Sequence, residues 1–205
     1  LTAPRSMSND QLQRFIFADS DVRGEIITLE ESYQRILANG SYPGNVNQLL
    51  GEMTAAAGLL SATMKFDGVL TLQARGDGDL SLIMAECTRQ HMLRAIATVK
   101  PDADPRGREL GELLGGGHLA ITIDPARGER YQGIVPLEYP KLSTCIEEYF
   151  DKSEQLPTRL WLFCDGAKAG GLLIQALPLH EQSQEEREQY WQHLCVLADT
   201  LTTEE

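Results

Sequence analysis

The chain has 205 residues, of which 42% are hydrophobic and 23% are charged, and this ordinary composition suits one globular domain with at most a small appendage. Its formal net charge of −12 argues against binding to a nucleic acid, because protein surfaces that contact phosphate backbones are basic. The sequence contains no run of about 18 apolar residues, so it predicts no membrane-spanning helix.

The first residues, LTAPRSMSNDQ, lack the apolar segment that a secretory signal peptide requires. We expect Leu1–Ser6 to be foreign to the natural protein and Met7 to be its natural start, so residues 1–8 are predicted to be disordered. A cytoplasmic protein without a membrane anchor is the simplest interpretation of these features.

Two short helices are predicted near the N-terminus, each from a capping box, in which Ser or Thr is followed three residues later by Gln or Glu. Ser8 and Gln11 begin the first helix, and Thr28 and Glu31 begin the second, which ends at Asn39-Gly40. Their apolar faces are Leu12, Phe15 and Ile16 in the first helix, and Leu29, Tyr33, Ile36 and Leu37 in the second. A short strand, VRGEIIT, is predicted between them.

The longest helical pattern begins after Pro43 and leads into a β-hairpin, and we expect both to be central to the fold. Gly51 and Gly58 each lower helix propensity by about 1 kcal/mol relative to alanine, so we expect this helix to pack closely against another element. The hairpin turns at Gly-Asp-Gly-Asp. Its period of two predicts one buried face, made of Leu70, Leu72 and Ala74 on the first strand and Leu80, Leu82 and Met84 on the second.

The rest of the chain up to Pro178 predicts further strands with short helices between them. These elements are a strand at Met92–Val99, a short helix at Arg106–Leu114 ended by three glycines, a hairpin made by Leu119–Ile123 and YQGIVPL, a helix introduced by Pro140, and a strand pair made by LPTRLWLFC and LLIQALP across a glycine-rich loop. The whole pattern indicates a sheet-centred protein with helices laid against the sheets.

The C-terminal segment predicts an acidic helix from Gln184 onward. Residues 181–205 carry seven acidic side chains against one arginine, a net charge of −6. The apolar stripe of this helix is Tyr190, Trp191, Leu194, Leu197 and Leu201. Both a solvated helix face and an interaction segment are consistent with this pattern.

The sequence shows no recognisable catalytic constellation. Cys87 and His91 are four residues apart but lie in a strand connection without a third orienting group, and His118 follows three glycines that match no phosphate-binding motif. The sequence at Asp77 and Asp79 matches only the first positions of an EF-hand calcium loop, so we interpret these two residues as part of the turn between the strands. These observations favour a binding protein over an enzyme.

The cysteines are too isolated to predict a metal site. Cys87, Cys145, Cys164 and Cys195 form neither a CxxC motif nor a cluster with histidine at zinc spacing. Each lies in a strand or helix pattern as a small apolar residue, so we expect buried, reduced thiols and no metal or cofactor in this chain.

Several segments, read together with Leu59–Met84, resemble a known family. They are SNDQLQRFIF, VRGEII, SYP, GERYQGIV and SEQLPTRLWLF. They strongly resemble, in the same order along the chain, the heat shock protein 33 family of redox-regulated bacterial chaperones. The resemblance runs from about Asn9 to Pro178 and continues more weakly to Glu205. The resemblance implies an α+β fold, with a chaperone core of crossed, mainly antiparallel sheets and packed helices over residues 9–179 and the start of a helical linker over residues 180–205.

The resemblance also implies how such a protein works. Family members hold unfolding proteins without ATP in the cytoplasm, and a C-terminal module binds zinc through four cysteines when reduced. Oxidation releases the zinc, loosens the linker, exposes apolar surface and is accompanied by dimerisation. None of the four cysteines here matches those sensor cysteines, so zinc is expected only in a module that this sequence lacks, and the chain is expected to act without its redox switch.

We hypothesise that the apolar stripe of the C-terminal helix covers a client-binding surface on the last strand pair. Alternate residues Leu160, Leu162, Leu172 and Ile174 are one candidate face, and their neighbours Trp161, Phe163 and Leu173 are the other. Sequence leaves open which face is outward and whether these residues are simply core. The expected partners are unfolded client proteins and a second copy of the chain in a homodimer, with a domain-swapped homodimer as an open alternative, and no nucleic acid or membrane partner is expected.

Two alternatives remain open at this point. A small-molecule-binding α/β enzyme could use a cleft near Gly115–His118 or the loop at Asp165–Gly171, although no constellation supports it. The chain could also be an inert structural core.

Overall fold

Two antiparallel β-sheets and five α-helices make up the part of the chain that the structure describes. This computed structural model describes residues 9–17, 20–65, 67–104, 109–178 and 184–202. The strands are β1 (Gln11–Ile16), β2 (Val22–Leu29), β3 (Gly68–Arg75), β4 (Leu80–Thr88), β5 (Leu93–Val99), β6 (His118–Pro125), β7 (Tyr131–Pro136), β8 (Thr158–Cys164) and β9 (Ala169–Ala176). The helices are α1 (Glu31–Ala38), α2 (Gly44–Thr63), α3 (Leu110–Leu114), α4 (Leu142–Tyr149) and α5 (Gln184–Ala198), and a π-helical turn (Phe150–Glu154) follows α4. The predicted α+β class is confirmed.

The two sheets are assembled differently. The four-stranded sheet has the order β1-β2-β9-β8, so strands from both ends of the chain meet in it. The five-stranded sheet has the order β5-β4-β3-β6-β7 and is built from the middle of the chain. Helix α2 packs against strands of both sheets, and the main hydrophobic core lies where they meet.

Helix α2 confirms the expectation of a central buried helix. Fourteen of its twenty residues are buried, on every side of the helix. A Cβ atom on Gly51 would lie 2.5 Å from Cys164 Sγ and 3.1 Å from both Ala169 Cβ and Tyr33 Cε2. The absence of a side chain at Gly51 is therefore what allows α1, α2 and the β8–β9 hairpin to approach one another.

The predicted central hairpin is β3–β4. The buried positions of its first strand are confirmed, and those of its second strand differ from the prediction. Leu70, Leu72 and Ala74 of β3 are buried as expected. On β4, Leu82 and Met84 are only half-buried, because the pairing of β4 with β5 shifts register between Leu80 and Leu82. This irregularity moves the buried positions after Leu80 to Ile83, Ala85 and Cys87.

The first predicted helix is wrong, because residues 11–16 form strand β1. Its residues pair with β2 from Gln11 opposite Thr28 to Ile16 opposite Arg23. Pairing with the next strand, β2, therefore overrides the local capping-box pattern, whose Ser8 lies outside the described residues.

The second helix exists, but its cap comes from elsewhere. Thr28 and Leu29 belong to β2, and α1 begins at Glu31 without a capping side chain from its own N-cap residue. Instead, the carboxylate of Asp10 accepts hydrogen bonds from the backbone N–H groups of Glu30 (2.7 Å) and Ser32 (3.0 Å). The residue just before β1 thus satisfies the exposed donors at the start of α1.

The remaining predicted elements are confirmed with small changes of boundary. Helix α3 spans Leu110–Leu114, whereas the prediction began at Arg106, and residues 105–108 lie outside the description. Helix α4 ends at Tyr149, and Phe150 begins the π-helical turn. The proposed division between a core and a linker at residue 180 stays a prediction, since residues 179–183 are not described.

Gly51 offers a test of the close packing around α2. We expect Gly51→Ala to lower the free energy of unfolding by roughly 1 kcal/mol, because overpacking costs about 1–3 kcal/mol and exceeds the gain in helix propensity of about 1 kcal/mol. Urea unfolding followed by circular dichroism measures the change. Gly44→Ala at the start of the same helix is the control, since a Cβ there meets no atom within 4 Å. Equal or greater stability of Gly51→Ala would contradict the packing argument.

Candidate functional site

The register of β8 and β9 decides which of the predicted surface residues share a face. In this antiparallel pair Leu160 lies opposite Leu173, and Trp161 lies opposite Leu172. Directly opposed residues in a sheet point to the same side. The grouping expected from the sequence is therefore wrong, since it placed Leu160 with Leu172.

The two corrected faces have different surroundings. The inner face turns toward α2 and carries Leu160, Leu162 and Leu173, which pack with the main core. The outer face turns away from α2 and carries Trp161, Phe163, Leu172 and Ile174. Leu160 is 3% exposed and Leu173 is 0% exposed, so the inner residues are core and take no part in a surface.

Helix α5 lies on the outer face and builds a second, smaller hydrophobic core, called the outer cluster below. Its buried members are Val22, Leu172, Ile174, Leu194, Cys195 and Ala198, and its partly buried members are Phe15, Phe17, Trp161, Tyr190, Trp191 and Leu201. The sequence-based hypothesis that the C-terminal helix covers part of the last strand pair agrees with this packing. Whether the covered face binds a client protein is a separate question, taken up below.

One member of the predicted helix stripe is wrong. Leu197 is 52% exposed, whereas Cys195 is only 8% exposed and occupies the interface in its place. Successive residues of a helix are about 100° apart, so a seam centred on Leu194 and Ala198 extends toward Trp191 and Cys195 and leaves Leu197 outside. The apolar spacing alone could not tell which side of the stripe faces the sheet.

Aromatic side chains extend the outer cluster beyond the strand pair. The rings of Phe15 and Phe17 have centroids 5.3 Å apart in an edge-to-face arrangement, and Phe17 and Tyr190 are 6.5 Å apart in the same arrangement. Phe15 lies on β1 and Tyr190 on α5. The contact surface of α5 therefore reaches from β8 across the sheet to the edge strand β1.

A polar network holds the C-terminal end of α5 against β8. Asp199 Oδ1 accepts a hydrogen bond of 2.9 Å from the Trp161 indole N–H and lies 3.9 Å from Arg159 Nη2. The Arg159 guanidinium is 5.4 Å from the centre of the Trp161 ring and donates through Nε to Glu147 Oε1 at 3.3 Å. Burial raises the pKa of Glu147 even though Arg159 opposes the shift.

A second polar contact lies near the beginning of α5. Arg187 Nη2 donates a hydrogen bond of 2.6 Å to the carbonyl oxygen of Leu177, at the end of β9. Neither this contact nor the network at Asp199 was found from the sequence, since the partners are distant in the chain and no local pattern marks them.

The outer face is only partly covered. Beside the end of α5 lies a cleft of about 240 Å³, whose lining includes Ile26, Phe163, Leu172 and Leu201. Ile26 is 37% exposed. Apolar surface of the four-stranded sheet is thus accessible next to the region that α5 covers.

The catalytic candidates weighed from the sequence have structural roles in this fold. Burial raises the pKa of the Cys87 thiol, which donates to the Thr88 carbonyl at 3.4 Å, so it is a poor nucleophile at neutral pH. Gly115–Gly117 have positive φ angles and end α3 before His118 begins β6. The turn at residues 76–79 packs against them, since Gly78 N–H donates to the Leu114 carbonyl at 3.0 Å.

The four cysteines do not fit a zinc site. All four are free, and burial raises the pKa of each thiol, which opposes the thiolate form that zinc requires. Across the described ranges, no group of three or more His, Cys, Asp or Glu side chains is arranged to hold a metal ion. In the same ranges, no helix has the length and apolar character needed to cross a membrane.

Comparisons with known proteins agree on one family. The family model described as Hsp33 protein matches residues 10–205. A 33 kDa chaperonin of Ectopseudomonas mendocina (strain ymp) is 55% identical over 198 residues, which are 96% of this chain and 67% of that protein. A 33 kDa chaperonin of Azotobacter vinelandii (strain DJ / ATCC BAA-1303) is 52% identical over 197 residues, which are 96% of this chain and 66% of that protein.

A solved structure shows the same fold. The crystal structure of the 33 kDa chaperonin (Heat shock protein 33 homolog) from Thermotoga maritima matches with a TM-score of 0.78 at 19% identity, covering 93% of this chain and 67% of that chain. The chain therefore spans about two thirds of the length of these relatives.

Asp199 offers a test of how firmly α5 is held. We expect Asp199→Ala to speed amide hydrogen exchange in α5 by about fivefold, because losing the Trp161 hydrogen bond and the Arg159 ion pair removes roughly 1 kcal/mol. Exchange in α2 should stay unchanged, since the main core does not use this contact. His193→Ala is the control, since His193 is exposed on the same helix. Equal exchange in both variants would show that the polar network does not hold the helix.

Proposed function

The chain belongs to the Hsp33 family, and from the chaperone function of that family we propose that it holds unfolding proteins without ATP on the outer face of its four-stranded sheet. The observation that carries this proposal is the outer cluster, in which a polar, acidic helix covers apolar residues of β2, β8 and β9. Proteins that capture unfolded chains need apolar surface that can be exposed reversibly, and this is the surface of the fold that a single peripheral helix protects.

The free energy with which α5 docks on the four-stranded sheet is small enough for docking to be reversible. Of the α5 residues whose burial is described, only Leu194, Cys195 and Ala198 are buried in the outer cluster, whereas Tyr190 and Trp191 are partly buried. Full burial of a leucine-sized side chain is worth about 1.5–3 kcal/mol, and that of cysteine or alanine is worth less. A helix of this length is marginally stable on its own in water, so α5 depends on its contacts with the sheet to remain folded. Docking of α5 is therefore weak enough for a modest perturbation to reverse it.

We further propose that redox control in full-length relatives uses cysteines other than these four. Raised thiol pKa values and burial make Cys87, Cys145 and Cys195 slow to react with oxidants, and Cys164 is half-buried. Under this proposal, zinc binding and disulfide formation take place in the part of the full-length relatives that this chain does not span. Reduced thiols also suit the cytoplasm, where we place the protein.

An aggregation assay tests the holdase proposal. We expect the chain to suppress the light scattering of a thermally unfolding client protein without ATP or oxidant. Leu194→Asp combined with Ala198→Asp should increase this suppression and the binding of a hydrophobic dye, because buried carboxylates would detach α5 from the sheet. Adding Trp161→Ser and Leu172→Ser to that variant should reduce both signals.

The matched control for this assay is Val196→Asp, which places the same charge on the same helix at a residue that is 65% exposed. It should leave suppression and dye binding unchanged. Failure of both the chain and the detached variant to suppress aggregation would leave this part of the protein as an inert structural core. Suppression that survives the serine substitutions would place client binding on another surface.

We also propose that the chain forms a homodimer. Detachment of α5 exposes the outer cluster, and the α5 of a second copy carries the residues that fit it, so exchange of this helix would give a domain-swapped dimer. Accessible apolar residues beside α5 favour the same association.

Light scattering after size-exclusion chromatography measures the association. We expect a monomer–dimer equilibrium that shifts with protein concentration. Leu194→Asp with Ala198→Asp should shift the equilibrium toward the monomer, since the exchanged helix would then fit neither copy, whereas Val196→Asp should leave the equilibrium unchanged. A monomer at every concentration would contradict the proposal.

A further inference from the structure

A basic cleft lies on the inner side of the four-stranded sheet, away from the outer cluster. It has a volume of about 800 Å³ and lies between β1, β2 and the C-terminal end of α2. Among the described residues that line it, four are cationic, namely Arg14, Arg23, Lys65 and Arg89, and one, Glu25, is acidic. In a chain with a formal net charge of −12, this local excess of positive charge is the opposite of the general surface.

The strand register explains why these residues meet. Arg14 of β1 lies directly opposite Glu25 of β2, and Arg23 of β2 lies directly opposite Gln175 of β9. Arg89 approaches from the turn after β4 and donates through Nη1 to the carbonyl oxygen of Met64, just beyond α2. Residues far apart in the sequence are thereby brought to the same end of the central helix.

Most donor groups of this cluster remain available to a ligand. A guanidinium has five N–H donors. Among the described residues, Arg14 forms one ion pair, in which its Nε lies 4.0 Å from Glu25 Oε1, and its side chain is 51% exposed. Arg23 donates through Nη2 to Gln175 at 2.6 Å, whereas its buried Nε makes no hydrogen bond to the described part of the chain. Lys65 is exposed and forms no ion pair with any described residue.

Glu25 indicates which anion fits. It is 2% exposed, and its Oε2 is buried without a hydrogen-bond partner among the described residues. Burial raises the pKa of this carboxyl group, and the nearby charges of Arg23 and Arg14 only partly oppose the shift. A buried carboxyl group beside several cations calls for a ligand that accepts hydrogen bonds from arginine and lysine and also shares one proton with Glu25.

A phosphate group has this combination of properties. Its oxygens match the fork of arginine donors, and because its second pKa of about 6 lies above the ordinary range of a carboxyl group, as the raised pKa of Glu25 also does, the two groups can share one proton. Sulfate has the same shape but is a much weaker base than phosphate, so it shares a proton with Glu25 far less readily. The apolar residues Ile16, Met64 and Leu177 also line the cleft and can contact an organic group of the ligand.

We propose that this cleft binds the phosphate group of a small phosphorylated molecule, with Arg14, Arg23, Lys65 and Arg89 as hydrogen-bond donors and Glu25 as the residue that selects phosphate over sulfate. The volume of the cleft exceeds that of a phosphate ion alone, so a phosphate monoester fits it better than the free ion. The site is separate from the helix α5 contact and does not depend on the holdase proposal.

Calorimetric titration of the whole chain with inorganic phosphate, AMP and sulfate at matched ionic strength tests the site. We expect AMP and phosphate to bind and sulfate to bind at least about tenfold more weakly. Tighter binding of AMP than of phosphate would identify an organic phosphate as the ligand class, and equal binding would identify the free ion. Absence of binding by both, or equal binding of sulfate, would overturn the proposal.

Variants locate the binding in the cleft. Lys65→Gln and Arg14→Gln should each weaken phosphate or AMP binding by about tenfold, since each removes a charge-assisted donor. Arg130→Gln is the control, because Arg130 is exposed in the β6–β7 turn on the other sheet. Glu25→Gln should abolish the preference for phosphate over sulfate. Unchanged binding by Lys65→Gln, in a variant whose thermal unfolding is normal, would place the anion elsewhere.

Discussion

Complete burial of α2 is the constraint on which the rest of the structure depends. A helix that is apolar on all sides must be enclosed, and here two sheets and neighbouring helices enclose it. The N-terminal strands must pair with the C-terminal ones to finish the four-stranded sheet on one side of the helix. The end of α2 has unsatisfied carbonyl groups with partial negative charge, so cations are favoured there, and Arg89 donates to one such carbonyl at Met64. Thus the same helix that organises the core also gathers the residues of the basic cleft.

The protein has two hydrophobic cores of very different strength. The main core encloses α2 and includes β9 residues such as Leu173, whereas the outer cluster depends on one peripheral helix whose opposite side is exposed and acidic. Strand β9 takes part in both, since its successive residues point to opposite sides of the sheet. A region held by few buried side chains and a few exposed polar contacts opens at lower free energy than the rest of the fold. Opening of α5 can therefore expose apolar surface while the main core stays intact.

The sequence predicted most elements correctly because their hydrophobic periodicity is strong. The long helix after Pro43 and the hairpins were recognised from that periodicity, and the fold class was recognised with the help of family resemblance. The sequence-based predictions failed where pairing or packing between separate elements decided the outcome. Residues 11–16 look like the start of a capped helix, yet pairing with β2 makes them a strand. Alternation on β8 and β9 was recognised, but the relative register of the two strands was not, so Leu160 and Leu172 were assigned to the same face. The network of Asp199, Trp161 and Arg159 and the basic cleft join residues from distant parts of the chain, and a single sequence gives no signal for such contacts.

Strand β1 links the outer cluster and the basic cleft. It is an edge strand whose Phe15 contributes to the outer cluster, whereas the preceding residue, Arg14, lines the basic cleft. Adjacent residues of a strand point to opposite faces, so a shift of β1 changes both surfaces together. β1 and β8 are the two edge strands of this sheet, and each is hydrogen-bonded to it on one side only, so β1 shifts at lower cost than the inner strands β2 and β9. If α5 steadies β1 through Phe15 and Phe17, then an anion held by Arg14 steadies it from the other face, and thermodynamic linkage requires each event to favour the other. Occupation of the cleft would in that case keep α5 docked and the apolar outer face covered.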